Sequence, residues 1–347
     1  MKFIRIMLIF VPISIAGEFM HLNPTLMFSL AALAIIPLAG LMGEATEEIS
    51  FYAGPRMGGF LNATFGNATE LIISFFALRA GLFDVVKASI AGSIIGNILL
   101  VLGLSMFLGG LKFKSQIFSK RVVEVSSSML LFSVIGLSIP AIFTHTIKVE
   151  LLSTQYENLS IIVAVIMFFI YIMSLLFSFH THKDIYSIDH DDDSCAKWTL
   201  QKAIIVLVGA TVFIGFESEF LVSAVEPMTK AIGLSEFFVG IILIPIIGNA
   251  AEHSTAVVMA MKNKMDVAVE IAIGSSLQIV LFVTPVLVFI SLLFTPMSII
   301  FNEFELIALI VAVLIANRVS NDGESNWLEG LMLLSVYVII AVSFFAL

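Results

Sequence analysis

The stretch Gly66-Asn67-Ala68-Thr69-Glu70 recurs in slightly altered form as Gly248-Asn249-Ala250-Ala251-Glu252, 182 residues further along the chain. Each copy places an amide and a carboxylate inside an apolar segment long enough to cross a membrane. A carboxylate at the centre of a membrane helix costs roughly 2.5 to 3.5 kcal/mol on insertion scales, so it is found there mainly where it has a function. The paired carboxylates are therefore the strongest functional signal in the sequence.

The composition excludes most classes of soluble protein. Of the 347 residues, 59% are hydrophobic and 12% are charged, against about 25% charged in soluble domains. Apolar runs of about 20 residues recur along the whole chain, which predicts an all-α polytopic membrane protein. The net charge of −9 does not suggest nucleic-acid binding. The single Cys195 excludes an intrachain disulfide and a cysteine metal cluster.

Hydropathy predicts about eleven transmembrane spans, the first of them retained because no small-residue cleavage site follows the basic start. Their bounds are residues 4–20, 25–43, 58–79, 84–109, 121–143, 157–180, 200–223, 237–261, 266–293, 299–317 and 327–347. With this count, thirteen Lys and Arg residues lie on the N-terminal side of the membrane and four on the other. The positive-inside rule then predicts a cytoplasmic N-terminus, an external C-terminus and, we expect, a location in the cell membrane.

The offset of 182 residues extends well beyond the motif. It also relates Glu44 to Glu226, Gly58 to Gly240, Asp84 to Asp266, and Gly92-Ser93 to Gly274-Ser275. An odd number of spans separates the two motif helices, so the copies cross the membrane in opposite directions, as in the inverted repeats of secondary transporters. We expect an N-terminal helix (1–24), a first five-helix repeat (25–180), an acidic cytoplasmic linker (181–199) and a second five-helix repeat (200–347).

The chemistry of the motif points to a hard cation. Residues three apart share a helix face, so each asparagine lies beside its glutamate. Calcium prefers carboxylate, amide, hydroxyl and backbone oxygens, and two carboxylates neutralise one such ion. Two buried carboxylates without a metal favour protonation, so protons would compete with calcium for the same groups. The predicted cation ligands are Glu70, Glu252, Asn67, Asn249, Ser93, Ser275, Asn97 and Gln278, with the two glutamates also carrying protons.

For the amides and hydroxyls, ordinary hydrogen bonding between helices is the alternative. Other polar residues are candidates for an ion path, namely Glu44, Glu47, Glu48, Glu217, Glu219, Glu226 and His253. Solvated helix ends would explain these acids equally well, and a single imidazole is more often packed than functional. The acidic run from Asp189 to Asp193 lacks the spacing and the glycine of an EF-hand loop, which favours a solvated linker over a calcium sensor.

The motifs GNATELI and GNAAEH, each followed by a helix with Gly-Ser, resemble the two alpha-repeats of the calcium/proton antiporters of the cation/calcium exchanger superfamily. The stretch from Gly43 to Glu48 and the acidic central loop are also similar to that family. The resemblance implies a proton-driven exporter of cytoplasmic calcium whose repeats slide to expose the site alternately. Asn67 and Asn249 replace a hydroxyl that is typical of sodium/calcium exchangers, and this departure argues against a set of sodium sites.

Other functions stay open at this stage. A sodium- or potassium-coupled calcium exchanger shares the general plan, and a passive divalent cation channel is a further alternative. An intramembrane hydrolase is disfavoured because the sequence lacks the motifs of such enzymes, so no enzymatic activity is expected. No cofactor is predicted, and calcium is expected only as a transported substrate. The expected partners are calcium, protons and the lipid bilayer, and the sequence leaves a homo-oligomer open.

Overall fold

The computed structural model describes residues 6–144, 152–182 and 196–346, and most of them are helical. The helices are α1 (Phe10–Phe19), α2 (Pro24–Phe65), α3 (Ala68–Arg79), α4 (Phe83–Ile95), α5 (Leu102–Lys112), α6 (Lys120–Thr144), α7 (Leu152–Leu176), α8 (Leu200–Ile232), α9 (Glu236–Phe238), α10 (Ile244–Gly248), α11 (Ala250–Ala260), α12 (Met265–Gln278), α13 (Thr284–Ser291), α14 (Glu303–Ser320) and α15 (Trp327–Ala346). Wider π-helical turns occupy Gly96–Val101, Phe177–Thr181, Val239–Leu243 and Ile279–Val283, and a 3-10 turn occupies Met7–Ile9. The acidic run of the linker and Cys195 lie outside the described residues.

The helices confirm an all-α polytopic membrane protein. Seven described helical segments are long and apolar enough to cross a membrane, and the bent pair Glu236–Gly248 and Ala250–Ala260 adds an eighth if it forms one span. The first described helical segment, Met7–Phe19, is shorter than a membrane span requires. The count of eleven spans therefore stays a prediction.

The second helix is longer than the hydropathy pattern predicts. It begins at Pro24, where the Asn23 side chain accepts a hydrogen bond from Thr25 N, and continues far beyond the predicted end at residue 43. The glutamates that suggested an end are good helix formers, so the helix runs on until Gly54, where φ is +81°. A left-handed conformation of this kind favours glycine and divides the two arms of α2.

The inverted repeat is visible in the backbone. The helices that carry the two glutamates begin at Ala68 and Ala250, 182 residues apart, and the next helices begin at Phe83 and Met265, again 182 apart. Each of those next helices is interrupted by a π-helical turn at an equivalent position, Gly96–Val101 and Ile279–Val283. The sequence offset therefore reflects two copies of one structural unit.

Contacts between loops show which loops lie together on each of the two faces of the molecule. On one face, strand β1 (Gln116–Ile117) pairs antiparallel with β2 (Glu324–Ser325), and Lys112 Nζ donates to Met261 O at 2.8 Å. On the other face, residues from the segments after α3, α8 and α13 surround a cavity of about 340 Å³. This grouping agrees with the relative sidedness predicted from the basic residues, and which face is cytoplasmic stays a prediction.

Glycines allow the two repeats to pack closely. Gly92 of α4 lies against the Ile241 backbone in the π-helical turn after α9, and Gly240 of the same turn lies against Ala88 and the Val85 backbone. Membrane helices approach closely where their side chains are small, because association in lipid depends on packing rather than on the hydrophobic effect. This contact joins the first repeat to the second beside the paired motifs.

Candidate cation site

Both motif asparagines lie at breaks between helices. Asn67 has φ −103° and ψ 20°, and Asn249 has φ −96° and ψ 6°, so neither continues the preceding helix. At the second break the two helical arms meet at an angle of 61°. Glu70 and Glu252 therefore lie in the first turns of α3 and α11, where unpaired N–H groups and the helix dipole favour negative charge. The spans predicted at 58–79 and 237–261 therefore each contain a break between helices at the motif.

The two carboxylates face each other with few hydrogen-bond partners. Glu70 is only 4% exposed, and neither of its carboxylate oxygens has a hydrogen-bond partner. Glu252 Oε2 and Asn249 Oδ1 are also buried without a partner, and the two carboxylates are close enough to repel one another. Buried polar atoms are nearly always satisfied, so this concentration of free oxygens calls for an explanation. A bound cation or bound protons would supply one.

Each carboxylate lies against the glycine of the opposite motif. A methyl group placed on Gly248 would come within 3.0 Å of Glu70 Oε1, and one on Gly66 would come within 3.1 Å of Glu252 Oε1. The glycines leave room for a carboxylate from the other repeat, so the two motifs form one site.

A chain of hydrogen bonds orders the amides on one side of the site. Asn97 Oδ1 lies 3.0 Å from His253 Nε2, and Asn97 Nδ2 donates to Ser275 Oγ at 3.1 Å. Ser275 Oγ donates to Asn67 Oδ1 at 2.8 Å, and Asn67 Nδ2 donates to Gln278 Oε1 at 2.5 Å. Because Asn97 Nδ2 is a donor, its Oδ1 accepts from His253. These side chains are therefore held by one another, in contrast to the free Asn249 oxygen.

The other side of the site repeats part of this pattern. Asn249 Nδ2 donates to Ser93 Oγ at 3.2 Å and to Pro245 O at 3.0 Å. The Asn249–Ser93 contact is the repeat equivalent of the Asn67–Ser275 contact, and in both cases an asparagine of one repeat meets a serine of the other. Asn97 and Gln278 have no equivalent, since the matching positions are Ile279 and Gly96. The site is thus a symmetric core of carboxylates, amides and hydroxyls with an asymmetric extension.

All eight predicted ligand residues are brought together by contacts in the structure. They differ in what they offer, because Glu70, Glu252 and Asn249 present free oxygens whereas the others are engaged in hydrogen bonds. Within the described parts of the chain, no three His, Cys, Asp or Glu side chains cluster in a way that could hold a metal ion. A cation at this site would therefore need amide, hydroxyl or backbone oxygens alongside the two carboxylates.

Two of the acids predicted for an ion path are buried and contact other segments of the chain. Glu48 is buried, and its Oε2 accepts hydrogen bonds from Lys197 N at 2.8 Å and Trp198 N at 2.9 Å. This contact ties the first arm of α2 to the segment before α8. Glu217 is 0% exposed and contacts Ser14 of α1, so a solvated helix end does not explain it, and its place on an ion path stays a prediction.

The remaining acids among the candidates for an ion path lie nearer the surface. Glu226 forms a 2.5 Å ion pair with Lys230, and Glu219 lies 3.9 Å from Arg79. Glu47 is exposed and Glu44 is half-buried. The repeat equivalence of Glu44 and Glu226 is therefore not accompanied by equivalent burial, and a shared role for them stays a prediction.

Two buried polar residues were missed by the sequence reasoning. Glu305 is buried at the start of α14, where its Oε2 accepts from Asn302 N and Asn302 Oδ1 accepts from Glu305 N. The sequence does carry a signal for Glu305, because Asn-x-x-Glu before an apolar run is a capping box. Ser14 was missed because a single serine in an apolar run carries no pattern.

The fold and the site together define the class of this protein. Broken helices in two inverted repeats, with paired acids at the breaks, form the architecture of a secondary membrane transporter. The family model described as sodium/calcium exchanger protein matches residues 23–180 and 202–346. The chain belongs to this family, in the branch of the calcium/proton antiporters.

Individual relatives support that placement. The chain is 47% identical to the Ca(2+)/H(+) antiporter of Aphanothece halophytica, over 98% of this chain and 95% of that protein. It is 46% identical to the Ca(2+)/H(+) antiporter ChaA of Bacillus subtilis (strain 168), over 97% of each. Its structure is similar to that of native YfkE with a TM-score of 0.87 and 43% identity, over 99% of this chain and 100% of that one. These relatives are named as transporters rather than enzymes.

Proposed function

We propose that this protein is a secondary antiporter that exports cytoplasmic calcium in exchange for protons. The observation that carries the proposal is the pair of carboxylates, Glu70 and Glu252, which face each other at two helix breaks with free buried oxygens. One divalent cation neutralises both groups, and so do two protons. The names of the antiporter relatives agree with this pairing of ions.

Calcium and protons compete for the same two carboxylates, and this competition couples their transport. With calcium bound, both glutamates are charged and the cation removes their mutual repulsion. When calcium leaves a buried site, the repulsion favours protonation, so protons take its place. A protein that changes access only when the site is neutralised then exchanges one ion for the other. In this proposal the repeats move relative to each other and expose the site alternately to the two faces.

The neighbouring side chains have distinct roles in this mechanism. Asn249 supplies a neutral ligand through its free Oδ1, while its Nδ2 bonds to Ser93 and Pro245 O hold that oxygen in place. Asn67, Ser275, Asn97, Gln278 and His253 form the ordered side of the site. They position the second motif helix relative to the first and contribute ligand oxygens only through lone pairs that hydrogen bonds leave free.

Calcium flux in reconstituted vesicles tests the proposal. An imposed pH gradient should drive calcium accumulation against its own gradient without sodium or potassium on either side. A strict requirement for sodium or potassium would instead favour the cation-coupled exchanger. Calcium movement that only dissipates its gradient, unaffected by pH, would favour a passive channel. Vesicles with the Glu70→Gln/Glu252→Gln double variant provide the baseline.

The reciprocal glycine contacts predict the effect of a single methyl group. Gly248→Ala should weaken calcium binding about tenfold, because the added carbon presses on the Glu70 carboxylate and a displaced ligand loses affinity on this scale. The half-saturating calcium concentration for proton-driven flux measures this loss of affinity. Gly274→Ala is the matched control, since no atom lies within 4 Å of its added carbon. An unchanged half-saturation for Gly248→Ala would show that the glycine contact does not position the carboxylate.

Membrane placement follows from the same reasoning. The bacterial antiporter relatives favour the cell membrane, and the basic residues favour a cytoplasmic N-terminus and an external C-terminus. In that orientation the antiporter lowers cytoplasmic calcium. The division into units 1–24, 25–180, 181–199 and 200–347 remains part of this proposal.

A further inference from the structure

One buried carboxylate away from the cation site lies where α1 packs on α8. Glu217 of α8 and Ser14 of α1 are both 0% exposed, and their side chains are 2.5 Å apart. One turn away on each helix, Val11 and Ile214 belong to a buried apolar cluster. The repeat equivalent of Glu217 is Ile35, an apolar residue that is also fully buried. This acid is thus an addition to one repeat, at its contact with the helix that has no repeat partner.

If Glu217 is ionised, this contact has fewer donor hydrogens than its acceptors need. Ser14 Oγ lies 2.8 Å from Val11 O and 2.5 Å from Glu217 Oε1, and both of these oxygens are hydrogen-bond acceptors when the acid is ionised. A serine hydroxyl has one hydrogen, so it cannot donate to both. If Glu217 carries a proton, its O–H donates to Ser14 Oγ and the serine donates to Val11 O. Both contacts are then satisfied.

Among the side chains that the structure describes, none of opposite charge acts on Glu217. On α8 and on the elements packed against it, the charged side chains that the structure describes are Glu18 on α1, Glu44, Glu47 and Glu48 on α2, Glu70 and Arg79 on α3, Glu236 on α9, and Lys202, Glu219, Glu226 and Lys230 on α8 itself. Of these, Arg79 is near Glu219 and Lys230 is paired with Glu226. Burial and the Ser14 hydroxyl are the influences on the Glu217 carboxyl. Its Oε2 has no hydrogen-bond partner, which would be costly for a buried charge.

We propose that Glu217 is a proton-binding site separate from the cation site, whose protonated carboxyl joins α1 to α8 and whose ionisation releases α1. The Glu217 carboxyl keeps its proton as long as water is excluded from the contact between α1 and α8. Ionisation at alkaline pH requires water or a cation to reach the carboxylate, and the helix contact must open to admit either one. The proposal goes beyond the exchange of calcium for protons and does not depend on it.

Infrared spectroscopy tests whether the proton is there. The Glu70→Gln/Glu252→Gln variant removes the carboxyl bands of the cation site and serves as the parent. Adding Glu217→Gln, whose amide can still donate to Ser14, should remove one protonated-carboxyl C=O band that shifts in D₂O. Glu226→Gln, which changes an exposed acid paired with Lys230, should remove none. An unchanged band in the Glu217→Gln variant would overturn the proposal.

Thiol labelling tests the release of α1. Cys195→Ser removes the only cysteine, and Val11→Cys then places a thiol at a buried position on α1. At each pH, labelling is compared between this protein and the same protein with Glu217→Gln, so the pH dependence of the thiol itself cancels. Labelling should rise in alkaline buffer only where Glu217 is present, by about tenfold if the released helix is fully accessible. Equal labelling of the two proteins throughout would overturn the release of α1.

Discussion

Glu70→Gln or Glu252→Gln should abolish calcium/proton exchange while the protein remains folded. Each change removes a unit of negative charge beside a divalent cation and also removes a group that can carry a proton. At about 4 Å and an effective dielectric constant of about 20, the lost attraction is about 4 kcal/mol for each unit of cation charge. Calcium binding should therefore weaken by at least about a thousandfold. Initial rates of calcium uptake into vesicles under a fixed pH gradient measure the loss.

The control for this prediction is another acid of the same type. Glu124→Gln changes an exposed carboxylate that lies 3.9 Å from Lys120 on the surface of α6, so its transport rate should remain close to that of the unchanged protein. Size-exclusion chromatography of all three variants in detergent shows whether they are folded. Substantial exchange by a folded Glu70→Gln or Glu252→Gln protein would refute the assignment of the paired carboxylates.

Gly92→Ala should prevent stable assembly of the two repeats. The added carbon would lie against the Ile241 carbonyl oxygen and 2.6 Å from its carbon, and neither atom can move without shifting the backbone. Overpacking of this kind destabilises proteins by about 1 to 3 kcal/mol or more. Because the contact is between backbones of different repeats, we expect the upper end of that range. A lower melting temperature and loss of the monodisperse peak in detergent are the measurements.

The inverted repeat supplies a matched comparison. Gly274 is the equivalent of Gly92 in the second repeat, yet an added carbon there meets no atom within 4 Å. Gly274→Ala should therefore leave the melting temperature unchanged or raise it slightly, since alanine is the better helix former. If the two variants behave alike, the close contact between Gly92 and Ile241 does not determine stability.

Much of the cation site could be predicted before the structure. The repeated motif identified both glutamates and both asparagines, and the Gly-Ser helices identified Ser93 and Ser275. The reason is that each copy of an inverted repeat supplies half of the central site, so the site residues recur in the sequence at a fixed spacing. Residues without a repeat partner were harder to place. Asn97 and Gln278 have no equivalent in the other repeat, and Ser14 was not named at all.

Other features could not be predicted because they depend on packing between distant segments. Glu48 and Glu217 both resembled acids near helix ends. The structure holds one against the backbone before α8 and buries the other against α1. In the same way, the motif does not show that Gly66 and Gly248 each make room for a carboxylate of the opposite motif.

The sequence by itself determined that this is a membrane protein built from an inverted repeat around two buried carboxylates. Hydropathy and spacing are properties of the chain alone, and the energetic cost of burying charge in lipid makes them reliable signs. Only the tertiary structure decided where the motif helices break and that Glu70, Glu252 and Asn249 keep free oxygens while the other amides are engaged. These properties arise from contacts between segments up to about two hundred residues apart, such as Asn67 with Gln278, and no local pattern encodes which side chains meet.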